Sequence, residues 1–249
     1  AFTYRDADGR VMNVVRGLYA AGVRPRDRVG VVMGSRPSFL TVITALVRLG
    51  AVAVVAPPDA DRERLSAAFS AAELGRVVAD PQRAALCRGL TEAPALVLGG
   101  GGAPRSLEEG LVDLEAIDPG AVELGPEVEL DGGLARDLAL ILLRPSESGE
   151  LRPAPVTNHR WALSALGAAA VCTLKNDDTV YCCIPLHHPA GLLVGVGAAL
   201  GGGARLALAD GFSRASFWSE VRRYGATVAF YAGEMLRPLL HNKPTRGDH

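Results

Sequence analysis

The chain has 249 residues, of which 49% are apolar and 21% charged, with a formal net charge of -1. That length is enough for one large buried core or two smaller ones. Balanced charge without a basic cluster excludes the electrostatic footprint of non-specific nucleic-acid binding.

In chain order, Val11, Val14, Val15, Leu18 and Ala21 recur at helical spacing and stop at Gly22, after which residues 27–33, "DRVGVVM", read as a buried strand. Pro37 opens a helix that ends at Gly50, and "AVAVVA" at 51–56 is the next strand. Helix "DRERLSAAFSAAEL", strand "RVVA", helix "PQRAALCRGL" and strand "PALVL" follow. Strands apolar at every position imply a sheet covered by helices on both faces. Residues 117–133, "IDPGAVELGPEVELDGG", have no helical period and read as a connector.

The alternation then restarts with strand "DLALILL" (137–143), helix "NHRWALSALGAAAVC", strand "TVYCCIPL", a Gly-rich apolar helix, strand "ARLAL", helix "RASFWSEVRRYG", strand "ATVAFY" and helix "EMLRPLL". The expected fold is α/β, as two successive doubly wound, mostly parallel sheets. The first subdomain is expected at 1–116, the connector at 117–133, the second subdomain at 134–241 and a polar tail at 242–249.

Cys87, Cys172, Cys182 and Cys183 form no C-x-x-C pair or zinc spacing, and read as small buried residues in a reducing cytosol. "AFTYRDADGR" lacks the basic start and apolar run of a signal peptide. The longest apolar stretch, at 189–204, falls short of the ~20 residues that a membrane helix needs. A cytoplasmic chain is expected, with no transmembrane segment and no nucleic-acid partner.

Chemistry is sparse. "LGGGGAP" (98–104) follows a strand but does not continue as G-x-G-x-x-G into a helix, and neither a P-loop nor a G-x-S-x-G elbow occurs. His187 and His188 lack further ligands at metal spacing, so no metal site is expected. "RPSESGELR" (144–152) lies at the carboxyl end of a strand, where parallel sheets place ligands. Ser146 and Ser148 offer hydroxyls, Gly149 a bare backbone, and Arg144 and Arg152 positive charge. The same composition suits a surface turn.

Taken together, several stretches resemble the adenylate-forming superfamily, in particular acyl-CoA synthetases (fatty-acid CoA ligases). Residues 2–60 are similar to that family's N-terminus, and "YCCIPLHHPAGLLVG" resembles its "PLFH..G" motif, with His188 and Gly191 at the matching places. "YGATVAFYAGEMLRPLL" resembles the strand and helix lining its acyl pocket. The resemblance implies an acyl pocket bordered by His188, Gly191, Tyr231, Gly233, Glu234 and Met235. It also implies use of ATP and Mg2+, with a fatty acid or other carboxylate and coenzyme A as substrates.

In that family, "TSGTTG" followed by "xPKG" is the phosphate loop. Thr157 and Asn158 match the family's "TN" and fix the register. Arg144 and Pro145 then fall on the first Thr and Ser, Ser146 on the first Gly, Glu147 and Ser148 on the threonines, Gly149 on the last Gly and Arg152 on the lysine. Pro145 has no amide to donate. Glu147 sets a carboxylate where phosphate belongs; at about 5 Å and an effective dielectric of about 20 it opposes one phosphate charge by about 3 kcal/mol, or about two decades of affinity. Arg144 and Arg152 either offset that repulsion or pair with Glu147 and close the loop. Weak ATP binding is expected.

The chain also ends before the family's adenine and Mg2+ segment, its ribose-binding aspartate, its hinge and the C-terminal domain with the catalytic lysine. It therefore reads as an N-terminal portion, inactive alone, in which no catalytic residue is assigned. Apolar surface at the cut favours a homodimer. The alternative is a degenerate, non-catalytic acyl-binding or interaction homologue with a disabled phosphate loop.

Overall fold

The computed structural model describes residues 2–100, 106–131 and 133–240 and divides the chain into two units, Ala1–Arg160 and Trp161–His249. The tail expected at 242–249 and residues 101–104 of the glycine run lie outside the described residues.

In the first unit, Thr3 starts α1 (Tyr4–Ala20) with a capping box: its hydroxyl accepts the Asp6 amide while the Asp6 carboxylate accepts the Thr3 amide. Val11, Val15 and Leu18 form the buried stripe of this helix. Gly22, at φ +90°, ends it by letting the Val23 amide return to the Leu18 carbonyl. Pro37 occupies the first turn of α2 (Pro37–Arg48), where its missing amide is not needed.

β1 (Arg28–Val32), β2 (Val52–Val55), β3 (Arg76–Ala79) and β4 (Ala95–Val97) pair in parallel, with α3 (Arg62–Ala71) and α4 (Ala84–Cys87) in the crossovers. Val29, Val31, Val54, Val55, Val77 and Val78 are at most 1% exposed, as double coverage demands. The α3 side of the sheet packs Leu65, Phe69 and Leu74 onto Val32, Val54, Val77 and Ile141. Gly30 makes room there, because a Cβ on it would lie 3.0 Å from the Phe69 ring.

With β5 (Leu111–Asp113), β6 (Leu138–Pro145) and β7 (Leu151–Thr157), the sheet has seven strands in the order β5-β4-β3-β1-β2-β6-β7. β6 pairs in parallel with β2, so the strand expected to open the second subdomain at 134 completes the first sheet instead. Periodicity finds a strand but does not say which neighbour it joins. Residues 151–157 were not expected as a strand, since "LRPAPVT" carries two prolines. They pair antiparallel with β6 as the edge strand β7, with Pro153 opposite Leu143 and Pro155 opposite Ile141.

In the second unit, β8 (Thr179–Cys182) lies between β10 (Val228–Ala229) and β9 (Arg205–Leu208) in a parallel three-stranded sheet. The Gly-rich stretch begins as a π-helical segment (Ala190–Val196) and continues as α6 (Gly197–Gly202). α5 (Asn158–Val171) follows β7 and runs into this unit, and Gly197 and Gly201 bring α6 close to Ala165 and Ala169. α7 (Phe217–Tyr224) seats Phe217 edge-on against Tyr181 at 5.5 Å, and α8 (Gly233–Leu240) adds Met235 and Leu239 to that core. Both sheets with their helices make the α/β class as expected, although seven strands and three differ from two sheets of similar size.

Candidate functional site

The stretch expected between a strand and a helix is the tip of the β6–β7 hairpin. The Ser146 amide donates to the Glu150 carbonyl at 2.8 Å, and the Gly149 amide to the Ser146 carbonyl at 2.9 Å. Gly149 sits at φ +85° with nothing within 4 Å of a Cβ built on it, so its conformation rather than its space calls for glycine. Its first role is to close the hairpin, where the sequence reading had it admit a ligand to the backbone.

The hydroxyls of Ser146 and Ser148 bond each other at 2.9 Å. The Glu147 and Ser148 amides and the exposed Glu147 carboxylate make no hydrogen bond among the described residues. Arg144 and Arg152 stand directly opposite each other across the hairpin, both exposed. Arg152 lies 4.0 Å from the Glu150 carboxylate, with both side chains more than 70% exposed, a geometry worth little energy. No ion pair joins Glu147 to either arginine among the described residues, so the closed alternative for this loop is not the arrangement found.

The residues expected around an acyl pocket occupy varied surroundings in the second unit. His188 is exposed, and its Nδ1 accepts the Ala190 amide at 3.1 Å, holding the start of the π-helical segment. Gly191 is buried, and a Cβ there would lie 2.4 Å from the Pro185 carbonyl oxygen and 2.6 Å from that of Ile184. Only glycine lets this helix lie so close to the preceding loop. Gly233 and Glu234 line an open groove of about 710 Å3 with Arg214, Arg237 and Pro238. Tyr231 is 57% exposed, whereas Met235, at 8%, packs in the core with Tyr181, Ile184 and Phe217.

Burial pushes the Cys182 and Cys183 thiols up to about 11 and Cys87 up to about 12, which removes them as nucleophiles near neutral pH. Burial, then a 2.7 Å bond to Glu220, also raises the Tyr181 phenol. Among the described residues, no group of three or more His, Cys, Asp and Glu side chains is placed to hold a metal ion.

Sequence reading passed over Asp80, which follows β3 and is fully buried. Its carboxylate accepts the Gly34 amide at 2.8 Å, those of Gln82 and Arg83 at 3.1 Å and the Arg83 guanidinium at 2.7 Å, with the Arg36 Nε at 3.9 Å. It ties together the loops at the carboxyl ends of β1 and β3. An aspartate ending an apolar strand, as in "RVVAD", is the signal in the sequence that marks it.

The sequence model of the AMP-binding enzyme family matches residues 1–141 and 152–248. The chain belongs to this family. Residues 142–151, the end of β6 and the hairpin tip, fall between the two matched segments. The chain is 31% identical over 255 residues to the medium/long-chain-fatty-acid–CoA ligase FadD6 of Mycobacterium tuberculosis, a match covering 99% of this chain and 40% of the relative. It is 28% identical to long-chain fatty acid transport protein 2 of Rattus norvegicus, covering 99% and 41%. The chain thus spans about 40% of the length of these relatives.

Among solved structures, apo MbtA of Mycobacterium smegmatis superposes with a TM-score of 0.81 at 21% identity, covering 96% of this chain and 44% of that one. ATP-bound MatB of Rhodopseudomonas palustris gives 0.75 at 21%, covering 96% and 46%. Likeness at that identity concerns the fold alone.

Proposed function

We propose that this chain is the N-terminal part of an ATP-dependent acyl-CoA ligase acting on a fatty acid. The observation that carries the reading is the family match over nearly the whole chain, joined to 31% identity with a fatty-acid–CoA ligase. In this reading a carboxylate oxygen attacks the α-phosphorus of ATP and the bond to pyrophosphate breaks; the thiol sulfur of coenzyme A, losing its proton, then attacks the carbonyl of the acyl-AMP, and the acyl–oxygen bond breaks with AMP as the leaving group.

The chain's own contribution is to bind and position. The hairpin supplies two guanidiniums, two hydroxyls and the unbonded amides of Glu147 and Ser148 toward phosphate oxygens, a donor set that fits an anion. In the second unit, His188 and the groove beside Gly233 and Glu234 border the acyl chain. Mg2+, when bound with ATP, would neutralise phosphate charge; among the described residues no group of three or more His, Cys, Asp and Glu side chains is placed to hold a metal ion by itself. The fragment alone is not expected to turn over, because catalytic groups that act as a unit fail together. Four free thiols suit a reducing cytosol.

One observation favours a second reading, a degenerate homologue that binds acyl chains without catalysis: Pro145 and Glu147 lie within the segment outside the family match. Carboxylate-dependent exchange of pyrophosphate into ATP, measured on the full-length protein and on its Glu147→Thr variant, separates the two. Exchange by the parent supports the ligase. Exchange by the variant alone supports a disabled loop, and exchange by neither, with any fatty acid, refutes the ligase reading.

A further inference from the structure

β6 rises from Leu138 to the hairpin at Pro145, about 23 Å along the strand, so Leu138 belongs to the pole of the first sheet remote from the carboxyl ends where parallel sheets place ligands. That pole holds an open cavity of about 830 Å3, walled by the turn before β1, the turn before β2 and the connector before β6. Arg24, Arg26 and Arg28 line it together with the apolar side chains of Leu49, Val52 and Leu138. Val52 and Leu138 also pack on the Phe69 core, so the apolar layer of the sheet reaches the cavity.

The charges around the cavity are not equally free. Arg24 donates to the Tyr19 and Val23 carbonyls at 2.7 and 3.0 Å, and stacks 4.0 Å from the centre of the Tyr19 ring. Glu127 accepts the Tyr19 hydroxyl at 2.6 Å and lies 3.9 Å from Arg24, while Asp137 accepts the Leu134 amide at 2.8 Å. Arg28 has one long bond, 3.4 Å to the Ala72 carbonyl at the end of α3. Arg26 and Glu129 make no side-chain bond among the described residues. The uncommitted groups are therefore two guanidiniums against one carboxylate, an excess of a single positive charge.

Arg26 also carries a backbone cost. Its φ is +73°, a region that disfavours a Cβ and suits glycine. The surroundings impose this conformation: the Arg26 amide donates to the Gly50 carbonyl at 2.8 Å, the Asp27 amide to Arg24 at 3.1 Å and the Val52 amide to Asp27 at 2.8 Å. Strain held by its surroundings is found where a ligand is gripped. What the strained position supplies is a guanidinium on the cavity without a partner in the protein.

We propose that the cavity at the amino-terminal ends of β1, β2 and β6 is a second binding site that takes an organic monocarboxylate. Arg26 and Arg28 fork onto its acid group, and its apolar body lies along Leu49, Val52 and Leu138. A singly charged ligand matches the excess charge, because Glu129 opposes every further negative charge that a di- or triphosphate would bring. The volume lies within the range of small-molecule sites. None of these residues belongs to the hairpin tip or to the second unit, so the site does not depend on the ligase reading.

Octanoate titrated into the isotope-labelled 249-residue chain tests the site, with backbone amide shifts reporting where the ligand lies. The Gly50, Val52 and Gly133 amides should shift together with a Kd of about 1 mM or tighter, and octylammonium should leave them unmoved. Arg26→Gly keeps the turn, so it should weaken this binding about fivefold or more while its urea midpoint equals or exceeds that of the parent. Arg28→Ser should weaken binding about fivefold or more, and Glu129→Gln should tighten it about twofold or more. Amides that stay in place up to about 10 mM octanoate, or that respond alike in the parent and both arginine variants, would overturn the site. So would an equal response to octylammonium, which would mark an unselective apolar surface, or a midpoint for Arg26→Gly below the parent, which would remove the strain. Shifts confined to Gly191 and Met235 would overturn it while supporting an acyl pocket in the second unit. Arg26-dependent shifts at Gly50, with no pyrophosphate exchange by the full-length protein, would leave this site standing and remove the ligase reading.

Discussion

Arg26 holds φ +73° in the third position of the turn Arg24–Pro25–Arg26–Asp27, closed by the Asp27 amide on the Arg24 carbonyl at 3.1 Å. Proline in the second position and positive φ in the third define a turn that prefers glycine. The left-handed conformation costs a residue with a Cβ about 1–2 kcal/mol, part of which glycine returns through its freer unfolded chain. Arg26→Gly should therefore stabilise the chain by about 0.5–1 kcal/mol, seen as a higher urea midpoint at unchanged slope. Gly30 is the opposite case. A methyl group there meets the Phe69 ring and Leu74 within 3.1 Å, and Gly30→Ala should cost about 1–3 kcal/mol in the same measurement.

The thiols add a pH dependence at this scale. Cys87, Cys182 and Cys183 titrate near 8.5 when unfolded, whereas burial holds them at about 12, 11 and 11 in the fold. The unfolded chain releases its protons first on raising the pH, so their contribution is intact below about 8.5 and lost progressively toward about 11–12. Urea midpoints measured from pH 7 to 10 should fall above about 8.5 in the parent, and less steeply in a Cys182→Ala/Cys183→Ala variant. Equal slopes in the two proteins would sink this account.

Elements were legible where one physical signal dominated. Continuous apolar runs marked β1, β2, β3, β4, β6 and β8, and Gly22 and Gly50 marked the helix ends. β7 was hidden because its prolines oppose strand propensity, and only its edge position makes them tolerable. The π-helical turn at Ala190–Val196 leaves the same apolar pattern as an α-helix, and the close carbonyls around Gly191 appear only once the chain is folded. Of the candidate site, the loop's residues could be read from sequence, but the opposition of Arg144 and Arg152 depends on a register that the sequence does not display.

At an edge, prolines also guard against pairing with another chain. Pro153→Val/Pro155→Val restores two outward donors on β7 while keeping its apolar character. The variant should scatter light about twofold or more above the parent at equal concentration, with far-UV dichroism unchanged. Equal scattering would mean that some other feature protects the edge.

At the scale of the molecule, sheet membership was the least legible property. Residues 117–133 look like a boundary in composition, yet the chain returns from them to add β6 beside β2. The second unit carries a surface that bears on self-association. Gly197 and Gly201 seat α6 on Ala165 and Ala169, which turns Leu163 and Leu166 of α5 outward at 63% and 59% exposure, with Val171 at 87%. Spaced three residues apart, the two leucines share a helical face. Burying each is worth about 1.5–3 kcal/mol, enough to drive association at micromolar concentration when several bury together. The 249-residue chain should therefore form dimers in sedimentation velocity, and Leu163→Gln/Leu166→Gln should weaken dimerisation about tenfold or more. A parent that stays monomeric at 100 µM would be evidence against association through this face, and a dimer indifferent to both substitutions would assign it to another surface.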